Sequence, residues 1–178
     1  MDLEALFKIS YGIYIVATKY NDIINGYISN DVFQVTAEPP SLASSCSKQN
    51  YTCDLIKGSG VFTVSVLSQN TPQKIIQVFG YKSGRDIKKF EEINYRFGIT
   101  GAPIVLDNTI AYYECKVTQT VDVGTHLIFI ADIIDSQILD SKGIPMTYNY
   151  YREVRKAKAP KNAPTFIDPK KLISNPHT

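Results

Sequence analysis

The sequence predicts a mainly β protein, an antiparallel barrel or sandwich with a few short helices. Three observations carry that expectation. Twelve Tyr and eight Phe against no Trp favour a pleated, half-buried surface. The apolar segments alternate with a period of two or run as short β-branched blocks bounded by turn residues. Two of them, 109–121 and 126–139, are long and separated only by Asp122-Val-Gly-Thr125, a hairpin-like turn.

Taken in order, Tyr11-Gly-Ile-Tyr-Ile-Val-Ala-Thr18 reads as a buried strand and Lys19–Asp22 as a turn. Ile24 to Thr36 reads as a second strand, interrupted at Asn25-Gly26 and at Ser29-Asn30-Asp31; a glycine there marks a bulge or a close approach of backbone or ligand. Pro39-Pro40 ends it, because neither residue can donate to a ladder. A strand of small residues, 42–47, leads into a short helix capped by Asn50 or Thr52 and ended by Gly58. Val61–Leu67 alternates as a strand. Thr71-Pro72 is a cap followed by a first-turn proline, opening a helix that stops near Gly80. Ser83–Asp86 is a polar loop that could open a short helix to Phe90. A strand over 104–106, the long pair, a turn at Ser141–Gly143 and a short helix over 148–156 complete the order.

The domain organisation expected is one domain over 1–156 and a basic, linker-like tail over 157–178. With 44% hydrophobic and 20% charged residues, disordered, collagen-like and coiled-coil classes are excluded. The apolar stretches are too short to span a membrane, and Met1-Asp2-Leu3-Glu4 has no apolar signal core; the expectation is a cytoplasmic protein without a membrane partner. Cys46, Cys53 and Cys115 contain no CxxC and read as reduced, mostly buried thiols. With two His in the chain, no metal site is expected. Residues 152–178 hold seven basic and two acidic residues, a net of +5, whereas 1–151 holds 12 basic and 15 acidic, a net of −3. The tail suits an acidic partner; nucleic acid is not expected, since no reading motif accompanies it and the body is net acidic.

No GxSxG, HExxH or Walker loop is present. His177 lies in the tail, which leaves His126 for chemistry. Ser47-Lys-Gln-Asn-Tyr-Thr52 brings hydroxyls and a Lys to a helix start, the recipe for holding a phosphate; an ordinary capped helix is the alternative. The Ser29–Asp31 break could expose backbone groups to a flat polar ligand, or be a plain bulge.

Several blocks then resemble the flavin reductase-like family: Asn25-Gly-Tyr-Ile-Ser-Asn30 with Phe33-Gln-Val-Thr-Ala-Glu-Pro-Pro40, Cys53–Leu67, Phe79–Asp86, Gly101–Leu106 and Val123–Ile130. They lie in family order over about residues 5–155. The resemblance is strongest to flavoredoxins and to the flavin domain that precedes a rubredoxin module, whose linker is similar to Ala159-Pro-Lys-Asn-Ala-Pro-Thr-Phe166. It implies a split β-barrel that binds FMN, as a homodimer with flavin near the subunit interface. In its terms Ser29, Asn30, Asp31 and Val32 offer backbone groups to the flavin pyrimidine edge, and Ser45, Cys46 and Ser47 lie along the ring and ribityl chain. Lys48, Asn50 and Thr52 hold the phosphate, with Lys82, Ser83 and Arg85 as a second phosphate-side set. His126 is the implied catalytic residue, near flavin and the arriving nicotinamide. Ile28 and Asn30 depart from the Thr and Ser of many members, so backbone hydrogen bonds carry more of the recognition there. The implied activity is hydride transfer from NAD(P)H to flavin, with electrons passed to an acceptor. The alternative is a flavoredoxin-type FMN electron carrier serving a redox partner such as rubredoxin. NADH and NADPH cannot be ranked without a GxGxxG fingerprint.

Overall fold

Both faces of the first strand are buried, and this organises the architecture. In β1 (Tyr14–Tyr20), Ile15 and Ala17 pack on one side and Val16 on the other, as the two-residue side-chain period requires. The computed structural model describes residues 2–161 and 163–168. After β1 come β2 (Ile23–Ser29), β3 (Val32–Ala37), β4 (Pro40–Ser47), α1 (Tyr51–Ser59), β5 (Val61–Leu67), α2 (Gln73–Tyr81), β6 (Tyr95–Phe97), β7 (Pro103–Val105), β8 (Thr109–Asp122) and β9 (His126–Ile138). Seven strands form one sheet in the order β2-β1-β5-β8-β9-β4-β3, and β6 pairs with β7. Every pairing is antiparallel.

The sheet curls until its two ends approach. The Tyr27 hydroxyl of β2 donates to the Ser45 carbonyl of β4 at 3.1 Å. Val16, Leu42, Phe62, Val64, Cys115 and Phe129 fill the interior this makes. A second core lies outside β1, where α2 lays Ile75, Ile76 and Phe79 against Ile15, Ala17 and Leu67. This is the antiparallel barrel that the alternation predicts, closed across one seam by side chains. All three cysteines are free and buried. No described helix is long and apolar enough to cross a membrane.

Several boundaries differ from expectation for local reasons. The single strand expected over 24–36 is two strands at opposite edges of the sheet, with Ser29–Asp31 as the change of direction. Asn25-Gly26 interrupts nothing: it pairs with Thr18 and Ala17. Gly26 is the close approach, because a Cβ there would lie 3.0 Å from the Val16 carbonyl and 3.2 Å from the Phe79 ring. The short strand expected over 42–47 begins two residues earlier, at Pro40, which pairs with Ala37 across a tight turn. Gly60, at φ 69°, ends α1; Gly58 lies inside the helix, and its missing side chain leaves room for the Tyr20 ring. Thr71 does not cap α2: its hydroxyl donates to the Ser68 carbonyl at 2.7 Å, and Pro72 is the N-cap. Residues 83–90 form turns rather than a helix. The last helical segment is a π-helical turn, Tyr150–Val154.

Candidate functional site

The site grows from the end of β4. Its alternation puts Ser45 and Ser47 on one face and Cys46 on the other. The chain then turns into α1, and Asn50 caps that helix by accepting a hydrogen bond from the Thr52 amide at 3.1 Å. A cap of this kind fixes the first turn of the helix and leaves its positive end facing outward. β2 reaches the same place and breaks at Ser29. The Ser29 hydroxyl donates to the Asp31 carboxylate at 2.6 Å. Burial raises the Asp31 carboxyl above its ordinary range, and the Ser29 donor and the nearby His126 pull it the other way.

Between these elements and the end of α2 lies a cavity of about 500 Å³, within the range of small-molecule and cofactor sites. Ser29, Asp31, Ser45, Ser47, Asn50, Lys82 and Ser83, all candidates from the sequence, line it. So do Tyr27, Tyr51, Tyr81 and Lys89, which the sequence did not single out. One wall is Ala159, Pro160, Ala163, Pro164 and Phe166, from the segment expected as a tail. Asn30 explains this wall: its side-chain amide donates to the Thr165 hydroxyl at 2.6 Å. The Tyr81 hydroxyl donates to the Lys158 carbonyl nearby.

The other sequence candidates lie outside the cavity. Val32 starts β3 opposite Ser44 and packs against the barrel interior. Cys46 is fully buried inside the barrel, where burial pushes its thiol well up; strand alternation removes it from the cavity wall. Lys48 turns away to Asp122, at 2.7 Å. Thr52 is buried behind the helix start and accepts from the Asn25 side chain at 3.2 Å. Arg85 pairs with Asp54 at 3.0 Å and lies over the Tyr51 ring, so it braces a lining residue. His126 begins β9 opposite Ser47. Its Nδ1 lies 2.8 Å from the Thr125 hydroxyl. Its Nε2 is buried with no hydrogen-bond partner among the described residues, which is costly unless a ligand satisfies it. His177 lies outside the described residues. No cluster able to hold a metal ion occurs among the described residues.

Lys89 is the residue the sequence reading missed most plainly. Lys88-Lys89, followed by Glu91-Glu92, reads as a solvated charge run. In the structure Lys89 is 5% exposed and donates to the carbonyls of Gly26, at 2.9 Å, and Phe79, at 3.2 Å. Burial alone pushes its ammonium down to about 8. A more telling signal was the Phe90 beside it, which packs on Phe79 and carries the segment inward.

Against known proteins, the family model described as "Flavin reductase like domain" matches residues 6–158. A high molecular weight rubredoxin of Moorella thermoacetica is 46% identical over 166 residues, 93% of this chain and 72% of that protein. A ferric-chelate reductase (NAD(P)H) of Archaeoglobus fulgidus is 39% identical over 170 residues, 96% of this chain and 100% of that protein. Among solved structures, a flavin reductase HpaC complexed with NADP+ superposes with a TM-score of 0.71 at 27% identity. The match covers 82% of this chain and 89% of that one.

Proposed function

The chain belongs to the flavin reductase-like family, and from that premise we propose that it is an NAD(P)H:flavin oxidoreductase that holds FMN in the cavity between β2, β4, α1 and α2. The observation that carries this reading is the cavity itself. Its walls bring a capped helix start and a buried cation together with a polar strand break, a pattern that suits a ligand with an anionic end and a flat polar end. The names of the ferric-chelate reductase and of the HpaC–NADP+ complex support a reduced nicotinamide as the electron source.

When bound, the flavin supplies two-electron acceptance from reduced nicotinamide. The chain's own work is to bind, orient and exclude water. Ser29 and Asp31 of the strand break, with Ser45 and Ser47, line the cavity and would hold the flavin's ring and ribityl portion. Asn50, Lys82 and Ser83, on the same cavity wall, would hold its phosphate. Lys48, Thr52 and Arg85 act at one remove, by fixing Asp122, Asn25 and Tyr51. His126, opposite Ser47 and outside the cavity lining, would act from the Ser47 end, on the side where the nicotinamide arrives. The wall of Ala159, Pro160, Ala163, Pro164 and Phe166 would keep water from one side. The exposed edge strand β3, with Phe33 57% and Val35 44% exposed, suits a second copy of the chain, giving a homodimer in the cytoplasm.

The test is steady-state NADH and NADPH oxidation with excess FMN. Turnover that saturates with FMN supports the reductase. The name of the Moorella thermoacetica relative favours a second reading, an FMN carrier passing electrons to a rubredoxin-type partner. It predicts tight FMN binding with negligible nicotinamide oxidation.

A further inference from the structure

Two thiols meet where β4 runs into α1. Cys46 is the next-to-last residue of β4, and Cys53 stands in the first turn of α1. Both belong to one buried cluster, at 0% and 1% exposure. The Cys53 Sγ lies 4.0 Å from the Cys46 carbonyl oxygen, and a thiol–thiol hydrogen bond links the two side chains. Neither lines the cavity: the alternation that turns Ser45 and Ser47 toward it turns Cys46 away.

The two sulfurs are not equivalent. The hydrogen bond from Cys46 lowers the Cys53 thiol below its ordinary value, against burial and Asp54 and with help from Lys57 and Lys48. A place in the first turn of a helix favours a thiolate in the same sense. Burial pushes the Cys46 thiol well up, so it keeps its proton. Cys115, the third thiol, is pushed up by burial and by the Glu114 carboxylate beside it. A nucleophilic sulfur against a protonated partner is the arrangement of an attacking and a resolving cysteine. Burial restricts the oxidant to a small one. The Cys53 amide donates to the Asn50 carbonyl at 2.9 Å, and Asn50 lines the cavity, so the sulfur lies one helical turn behind the cavity wall. A peroxide, hardly larger than water, fits that approach; a peptide disulfide does not.

We propose that Cys46 and Cys53 are a peroxide-reactive dithiol that closes to a reversible disulfide between the end of β4 and the start of α1. The Cys53 sulfur attacks one oxygen of hydrogen peroxide, the O–O bond breaks, and the other oxygen leaves as water with the thiol proton. Cys53 is then a sulfenic acid. The Cys46 sulfur attacks the Cys53 sulfur, the S–O bond breaks, and the hydroxyl leaves as a second water with the Cys46 proton. Two thiols lose two electrons, and the peroxide gains them. The sulfurs close to about 2.05 Å, which draws the helix start toward β4. None of this depends on what fills the cavity.

The experiment treats the folded, flavin-free full chain with stoichiometric hydrogen peroxide, blocks the remaining thiols in denaturant and maps the tryptic peptides. Trypsin cuts after Lys48, between the two cysteines, so the bond joins peptide 20–48 to peptide 49–57. The expected result is that linked pair, with two of the three thiols lost, Cys115 retained and both thiols restored by dithiothreitol. Cys46→Ser should abolish the link and leave a sulfenic acid at Cys53 that dimedone traps, whereas Cys115→Ser should leave the link intact. The wild-type map decides even if a serine in the core unfolds the barrel. Cys46 and Cys53 unmodified by peroxide, a link that forms only in denaturant, or Cys115 oxidising as fast as Cys53 would each overturn the proposal.

Discussion

At the scale of single residues, buried charges decide most. The Glu114 carboxylate is fully buried and accepts from the Ile99 and Thr100 amides and the Thr100 hydroxyl at 2.7–3.0 Å. Glu114→Gln puts donors against donors, and we expect a loss on the order of 2–3 kcal/mol in denaturant unfolding. Lys89 makes a prediction with a definite sign. Its ammonium, pushed down to about 8 by burial, binds fewer protons folded than unfolded between about pH 8 and pH 10. Stability therefore rises with pH across that window. In flavin-free protein the stability of wild type relative to Lys89→Met should improve by about 2 kcal/mol from pH 8 to pH 10; a flat or falling difference in urea titrations would contradict it. Neither residue was legible beforehand. Glu114 sits in an alternating strand, and Lys89 in a run of charges. Nor could sequence show that Lys48 and Arg85 are committed to carboxylates 74 and 31 residues away.

At the scale of elements, what was local was legible. The alternation of Val61–Leu67 and the two long strands gave β5, β8 and β9 nearly to the residue, because side-chain period is a property of neighbours. The Ser47–Thr52 helix start was equally readable from its cap. The direction change at Ser29–Asp31 was not, since a polar break looks the same whether a strand bulges or crosses the sheet. Three-residue β6 carries too little pattern to detect. The last described segment is the largest surprise. Ala159–Phe166 reads as a linker, yet Ala159, Pro160, Ala163, Pro164 and Phe166 wall the cavity, with Asn30 holding Thr165 and Tyr81 holding Lys158. A chain ending at Lys158 should keep its far-ultraviolet circular dichroism while FMN affinity falls about tenfold, because one ligand face is re-exposed to water. Affinity unchanged by the truncation would remove the wall from the binding account.

At the scale of the whole molecule, a barrel closed by side chains leaves one seam, and the cavity opens beside it. The Tyr27–Ser45 bond joins edge strand β2 to β4, the neighbour of the other edge strand β3, and both residues line the cavity. The outer edge strand β3 exposes Phe33 and Val35, and exposed apolar edge strands recruit partners. Phe33→Asp should therefore convert a dimer to a monomer in sedimentation equilibrium; a wild-type monomer would overturn that assembly. The resemblance carried by the Asn25–Pro40 and Phe79–Asp86 blocks anticipated the family that the match over residues 6–158 shows. The chemistry assigned to the cavity is tested most directly by one spectrum. The FMN-loaded protein is mixed anaerobically with NADH, then with NADPH, and its visible absorbance recorded. The account predicts that the flavin bands bleach with at least one nucleotide. Bands that resist both nucleotides, yet bleach with dithionite, would contradict a nicotinamide-dependent reductase.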